Sequence, residues 1–251
     1  MVGEQAHVSP AHVEALVAVN VGDMLDALGL KAALDARPRL RRAAEVLCRP
    51  AASAFAHKVL CMDRVVGEAG LQQGAEYGLA AFTTALRVAG RDGLPAQGPL
   101  LVAANHPGMT DTLALFAAIA RPDLRVLAAR RPFLQLLPNI ARCLIFIDED
   151  SSISTDALRA AAAHLRAGGA LLTFPGGGIE PDPALHPGAA EALARWPPSL
   201  DFFARRVTGF CPVTRASSSA PVSMIFALPV ASPRPMLTTT FSILGTAITF
   251  V

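Results

Sequence analysis

Between Pro10 and Leu28, the apolar residues Val13, Leu16, Val17, Val21, Met24, Leu25 and Leu28 recur every three or four positions. This spacing lines one face of an α-helix, which turns once every 3.6 residues. Ser9 followed by Pro10 supplies a cap and a first helical position, and Gly29 supplies a stop, so a helix is predicted over this stretch. The segment ARPRLRRAAEVLCRP follows and gathers Arg37, Arg39, Arg41, Arg42 and Arg49. A further helix is expected over residues 69–88, which makes the first ninety residues helical and amphipathic.

The pattern changes at GRDGLPAQGP, where glycine and proline mark a turn or linker. Beyond it lie four short apolar runs of strand length: LLVAA at 100–104, RVLAA at 125–129, CLIFI at 143–147 and ALLTF at 170–174. Helical stretches fall between them, from Thr112 to Ala120, Phe133 to Arg142 and Ser154 to Ala167. Continuous apolar strands alternating with helices predict an α/β fold: a mainly parallel mixed sheet flanked by helices, with an N-terminal helical extension. The expected division places the helical, membrane-contacting region at 1–92 and the α/β domain at 93–251. From Arg215 onward only Arg215 and Arg234 carry charge. The uncharged stretch from Pro235 to Val251 holds five Thr and a Ser, and reads as strand and loop rather than membrane helix.

Composition narrows the function classes. Of 251 residues, 52% are hydrophobic and 17% charged, and the mean hydropathy is +0.41, so a large core or a lipid-facing surface must absorb the apolar excess. A net charge of +2 leaves no nucleic-acid footprint. Cys48, Cys61, Cys143 and Cys211 are scattered without a CxxC pair, so neither a disulfide framework nor a zinc site is expected, and a reducing compartment is. The start MVGEQAHVSP lacks a basic stretch followed by an apolar one, and no secretory signal is expected.

The chemistry is concentrated in AANHPGMTD, residues 103–111. A buried strand that leads into Asn-His-Pro-Gly places these groups at a strand's carboxyl end, where α/β proteins gather their sites. With Pro107 at the first helical position, Asp111 lies just over a turn from His106. Its carboxylate can then hold one ring nitrogen while the other faces the cleft as a general base. The competing reading is that His106 caps the helix and Asp111 complements its dipole. Two ligands without a third His or Cys make no metal centre.

Asn105, His106 and Asp111 match the NHxxxxD signature, and the chain here resembles the glycerolipid (PlsC-like) acyltransferases. The family's second block, GxIFIDR, is similar to CLIFIDE from Cys143 to Glu149. Its third, FPEGTR, corresponds to Phe174, Pro175, Gly176, Gly177, Gly178 and Ile179. Its fourth is similar to the stretch around Cys211, Pro212 and Val213. The resemblance covers residues 90–215 and implies transfer of an acyl group from acyl-CoA or acyl carrier protein to a hydroxyl of a lysolipid acceptor. It implies His106 as base, Asp111 as its partner, no acyl-enzyme intermediate, and no metal or prosthetic group.

The departures from the pattern bear on the acceptor. The arginines of the second and third blocks are replaced by Glu149 and Ile179, and the acidic residue of the third block by Gly176. An acceptor phosphate meets repulsion from Glu149 unless Arg142 or Arg130 compensates. A hydroxylated lipid lacking a terminal phosphate, or bearing an amine, becomes a candidate.

Asn105, Phe174, Pro175, Gly176, Gly177, Gly178, Glu180 and Arg142 are the candidate substrate-binding residues. FPGGGIEP reads either as a pocket wall whose amides form an anion nest, or as a packing turn. Glu180 reads either as a ligand for an acceptor group or as an exposed loop residue. The arginine cluster reads either as a contact for anionic lipid or as a solvated face. His7, His12, His57, His164 and His186 receive no role. The expected location is cytoplasmic, peripheral to the inner face of the membrane. A catalytically inactive lipid-binding relative and a thioester hydrolase stand as alternative functions.

Overall fold

The computed structural model describes residues 9–83, 86, 88, 91, 94–104, 106, 108–148, 155–178, 180, 222–229 and 241–244. They form two compact units. The first comprises Met1–Arg64 with Arg131–Arg142, and the second Val65–Arg130 with Cys143–Val251.

The first unit opens with α1 (Pro10–Ala27), as the apolar spacing predicts. The Ser9 side chain accepts a hydrogen bond from the His12 amide at 3.2 Å, Pro10 sits in the first turn, and Gly29 has φ 68° just past the end. After the short α2 (Lys31–Asp35) comes α3 (Pro38–Ala69), which carries the arginine cluster and continues through Pro50 although proline donates no backbone hydrogen bond. The expected helix over 69–88 is thus divided differently. α3 ends at Ala69, Gly70 takes φ 99°, and α4 spans Leu71–Leu79 in the second unit. A glycine in the left-handed region ends one helix and starts another, which apolar periodicity alone does not report.

The helical stretch expected from Phe133 to Arg142 is two one-turn helices, α6 (Pro132–Gln135) and α7 (Pro138–Ala141). Pro138 forces the break, because the residue before a proline is pushed out of the helical region and Leu137 sits at φ −119°, ψ 79°. Asp63 of α3 secures α7 from within the same unit. Its buried carboxylate accepts from the backbone N–H groups of Asn139 and Ile140 at 3.0 and 2.8 Å and from Asn139 Nδ2 at 2.9 Å.

The second unit is the α/β domain. β1 (Leu100–Ala103), β2 (Arg125–Ala129), β3 (Leu144–Ile147) and β4 (Ala170–Thr173) occupy the four predicted runs and pair in parallel in the order β3-β2-β4-β1. β5 (Val222–Pro229) adds antiparallel to β1, and β6 (Phe241–Leu244) antiparallel to β5. The sheet is therefore mixed and mainly parallel, and the tail after Arg215 contributes two strands to it.

Two helices serve as crossovers within this unit. α5 (Met109–Ile119) links β1 to β2, and α8 (Thr155–Arg166) links β3 to β4. The two steps run in opposite directions across the sheet, so right-handed crossovers place the helices on opposite faces. Leu101, Leu127 and Leu171 pack with Ala161 and Leu165 of α8, and Ile145, Ile147 and Leu158 close around them. Leu113 to Ile119 of α5 are all buried, and α5 packs against α4.

Arg121, buried just before β2, gathers the loops at the amino ends of these strands. Its guanidinium donates to the carbonyls of Pro95 (3.2 Å), Gly98 (2.6 Å) and Gly168 (2.9 Å), and to both carboxylate oxygens of Asp123. His164, given no role by sequence, has Nε2 2.8 Å from the Asp123 carbonyl and 3.0 Å from that of Ala170. The absence of a side chain at Gly169 makes room for it, since a Cβ there would fall 2.2 Å from the ring. Fixing the amino ends fixes where the opposite, carboxyl ends deliver their side chains.

Candidate active site

β1 ends at Ala103, and the Ala104 amide extends the ladder by donating to the Thr173 carbonyl at 3.1 Å. Two residues later the chain presents His106. The structure corrects the expected helix start: the N-cap of α5 is Gly108, in extended conformation, rather than a residue before Pro107. This places Asp111 in the first turn, where a carboxylate complements the amino end of the helix. The carboxylate folds back toward the cap, for a Cβ on Gly108 would lie 3.7 Å from Asp111 Oδ2. Asn105 and Pro107 lie outside the described residues.

Thr112, Phe174 and Glu180 each contact His106. Thr112 Oγ1 is 3.3 Å from Nδ1, so this edge of the ring faces the first turn of α5 and Nε2 occupies the far edge. The Phe174 ring, just past β4, lies 4.6 Å away centroid to centroid and is tilted by 33°. Glu180 takes up the backbone: its amide donates to the His106 carbonyl at 2.9 Å, and its Oε2 accepts from the His106 amide at 3.3 Å. Glu180 is only 8% exposed, which overturns its reading as an exposed loop residue. The reason is local: the side-chain-free Gly176 leaves the volume that the Glu180 carboxyl fills.

The FPGGG stretch is a tight turn. The Gly177 amide donates to the Phe174 carbonyl at 3.1 Å, Pro175 is buried, and Gly177 takes φ 70°. That amide is committed to closing the turn and is lost to an anion nest. Gly176 and Gly178 are exposed beside it. The first and third sequence blocks thus meet, bringing His106, Asp111, Phe174 and Glu180 into one neighbourhood of the second unit.

Arg142 is the C-cap of α7 and belongs to the first unit. Arg130, after β2, donates to Asp148 at 2.9 Å and lies over the Phe146 ring at 5.1 Å. Glu149, Ile179 and the block around Cys211, Pro212 and Val213 are outside the described residues. Among the described residues no group of three or more His, Cys, Asp or Glu is arranged to hold a metal. Sequence reasoning passed over Thr112 and the true placement of Glu180. Thr112 had a visible signal, since it stands four positions after Gly108 on the turn that carries Asp111.

Residues 85–196 match the family model described as acyltransferase. The match spans the strand that delivers His106, the helix that carries Asp111 and the turn at Phe174. A search of the curated proteins and one of the solved structures each found no match. The fold and the matched stretch define an acyltransferase domain over residues 85–196, similar to the glycerolipid type that NHxxxxD suggested.

Proposed function

We propose that this chain transfers a fatty acyl group from acyl-CoA or acyl carrier protein to a hydroxyl of a lysolipid or related lipid, with His106 as general base and Asp111 as its orienting partner. The observation that carries the reading is the imidazole at the carboxyl end of β1, with Nδ1 turned to the first turn of α5 and Nε2 on the opposite edge. In the proposed step Nε2 takes the acceptor's hydroxyl proton as the oxygen attacks the thioester carbonyl carbon. A C–O bond forms, the tetrahedral adduct collapses, the C–S bond breaks, and the leaving thiolate recovers the proton from the imidazolium. A general base positioned in this way contributes about 10²–10⁴-fold.

The acceptor follows from charge. The family's two arginines are replaced by Glu149 and Ile179, and Arg130 is already paired with Asp148. This combination favours a lipid hydroxyl without a terminal phosphate, or one bearing an amine.

Peripheral contact with the inner membrane face is part of the same proposal. No helix among the described residues is long and apolar enough to cross a membrane. In the first unit, however, Leu28, Leu30, Leu40, Val46 and Leu47 expose large apolar side chains in the same stretch as the exposed Arg37, Arg39 and Arg42. Exposed apolar residues beside cations suit an interface with anionic lipid.

The test is incubation with palmitoyl-CoA or palmitoyl-acyl carrier protein and a panel of lysophosphatidate, lysophosphatidylethanolamine and monoacylglycerol. Product from wild type and none from His106→Ala is expected. Wild-type transfer by His106→Ala would end the catalytic assignment, acceptor-independent release of fatty acid would mean a hydrolase, and vesicle binding without turnover would mean a lipid-binding relative.

A further inference from the structure

The geometry points to Glu180 as the side chain that supplies, from four positions further along, the carboxylate that the third acyltransferase block otherwise carries at the position of Gly176, and as the positioning residue for His106. The inference rests on the reading of His106 as the base.

The steric relationship is direct. A Cβ built on Gly176 would fall 2.4 Å from Glu180 Cδ and 2.7 and 2.8 Å from its two carboxylate oxygens. The carboxyl group of Glu180 therefore fills the space where a side chain at 176 would begin. One carboxylate fits there, from either position, but not both. The backbone does not demand glycine at 176, because the positive φ in this turn belongs to Gly177. What the site requires of residue 176 is empty volume.

Glu180 holds His106 by main-chain bonds on both of its backbone polar groups. Acceptance by a carboxylate makes the bond from the His106 amide a charge-assisted one. His106 lies beyond the end of β1 and before the start of α5. Thr112 and Phe174 contact its ring. Glu180 thus sets the backbone while those two set the imidazole. Loss of the backbone hold displaces the base, and a displacement of about 1 Å costs up to roughly 10²-fold in turnover.

The experiment compares wild type, His106→Ala, Glu180→Ala, Glu180→Gln and Gly176→Glu with the swapped double variant Gly176→Glu/Glu180→Gly. Steady-state kinetics use palmitoyl-CoA with the best acceptor of the panel, and amide hydrogen exchange at His106 is followed by NMR. For Glu180→Ala, kcat should fall roughly 10–100-fold with KM little changed, and the His106 amide should exchange faster. Glu180→Gln keeps a neutral acceptor and should fall between Glu180→Ala and wild type. Gly176→Glu alone should be impaired by the collision, and the double variant should recover turnover and slow exchange relative to Glu180→Ala.

A Glu180→Ala protein with wild-type kcat and unchanged exchange, beside an inactive His106→Ala, overturns this inference and leaves the catalytic reading standing. An active His106→Ala removes the catalytic reading instead, and exchange at His106 still reports whether Glu180 holds it. If Glu180→Ala fails to fold, Glu180→Gln and the double variant decide: a double variant no better than Gly176→Glu overturns the swap.

Discussion

The ring of Phe174 lies 4.6 Å from the imidazole of His106, tilted by 33°, although 68 positions separate them in the chain. The parallel pairing of β1 with β4 brings them together, for Ala103 is opposite Thr173 and each strand then releases its chemistry-bearing residue on the same edge. Phe174 offers the histidine a flat apolar wall that limits its rotation. Phe174→Leu keeps most of the bulk but loses the flat face. Steady-state kinetics should show kcat lowered by roughly tenfold through misorientation, with KM nearly unchanged. An unaltered kcat would show that the wall has no orienting effect.

Thr112 makes a second, separable contribution. Its hydroxyl is 3.3 Å from His106 Nδ1 and 3.5 Å from the Gly108 carbonyl, which it meets as a donor. A net hydrogen bond is worth about 1 kcal/mol, or roughly a fivefold change in rate. Thr112→Val should lose about this factor in kcat, and Thr112→Ser, which restores the hydroxyl, should regain it. Equal activities of the two variants would assign the residue to packing alone.

At the amino end of the sheet, the Arg121 guanidinium hydrogen-bonded to Asp123 holds that carboxyl below the usual range, against a smaller opposing effect of burial. A lowered folded-state pKa means that the folded chain binds its proton less readily than the unfolded chain. The stabilisation is therefore complete above the unfolded value of about 3.9 and is lost as pH falls through the folded one. Urea midpoints of wild type should drop more steeply below about pH 4 than those of Asp123→Asn, with parallel behaviour at neutral pH. Arg121→Ala should cost on the order of 3 kcal/mol, because three loop carbonyls lose a buried donor. Matching acid limbs for wild type and Asp123→Asn would remove the ion pair from the pH dependence.

The arginines of the first unit divide by their partners. Arg41 bonds Asp35 and Glu45, and Arg49 bonds Glu14, whereas Arg37, Arg39 and Arg42 stand exposed beside Leu40. Each cation near an anionic surface contributes about 1 kcal/mol. Arg37→Glu/Arg39→Glu/Arg42→Glu should therefore weaken sedimentation with phosphatidylglycerol vesicles by at least tenfold, and high salt should do the same to wild type. Binding that ignores both changes would place any lipid contact elsewhere.

Local pattern reached far into this chain. Apolar runs of strand length placed all four parallel strands, the three-and-four spacing with Ser9, Pro10 and Gly29 placed α1, and one His-Asp spacing singled out the candidate site. These features were legible because period, caps and turns are short-range properties. Helix boundaries near Gly70, Pro138 and Gly108 were less so, because backbone conformation at single residues decided them.

What the sequence determined by itself was the α/β class, the four parallel strands and the identity of the histidine just past β1. Only the tertiary structure decided what surrounds that histidine. Glu180 read as a loop residue because nothing local tells that Gly176 opens a volume for its carboxyl, or that the turn after β4 returns to the backbone of residue 106. His164 and Arg121 likewise acquired their roles from loops that the sheet order brings together. Pairing across many tens of residues is set by how strands stack and helices cross the sheet, and a side chain's environment follows from that pairing rather than from its neighbours in the chain.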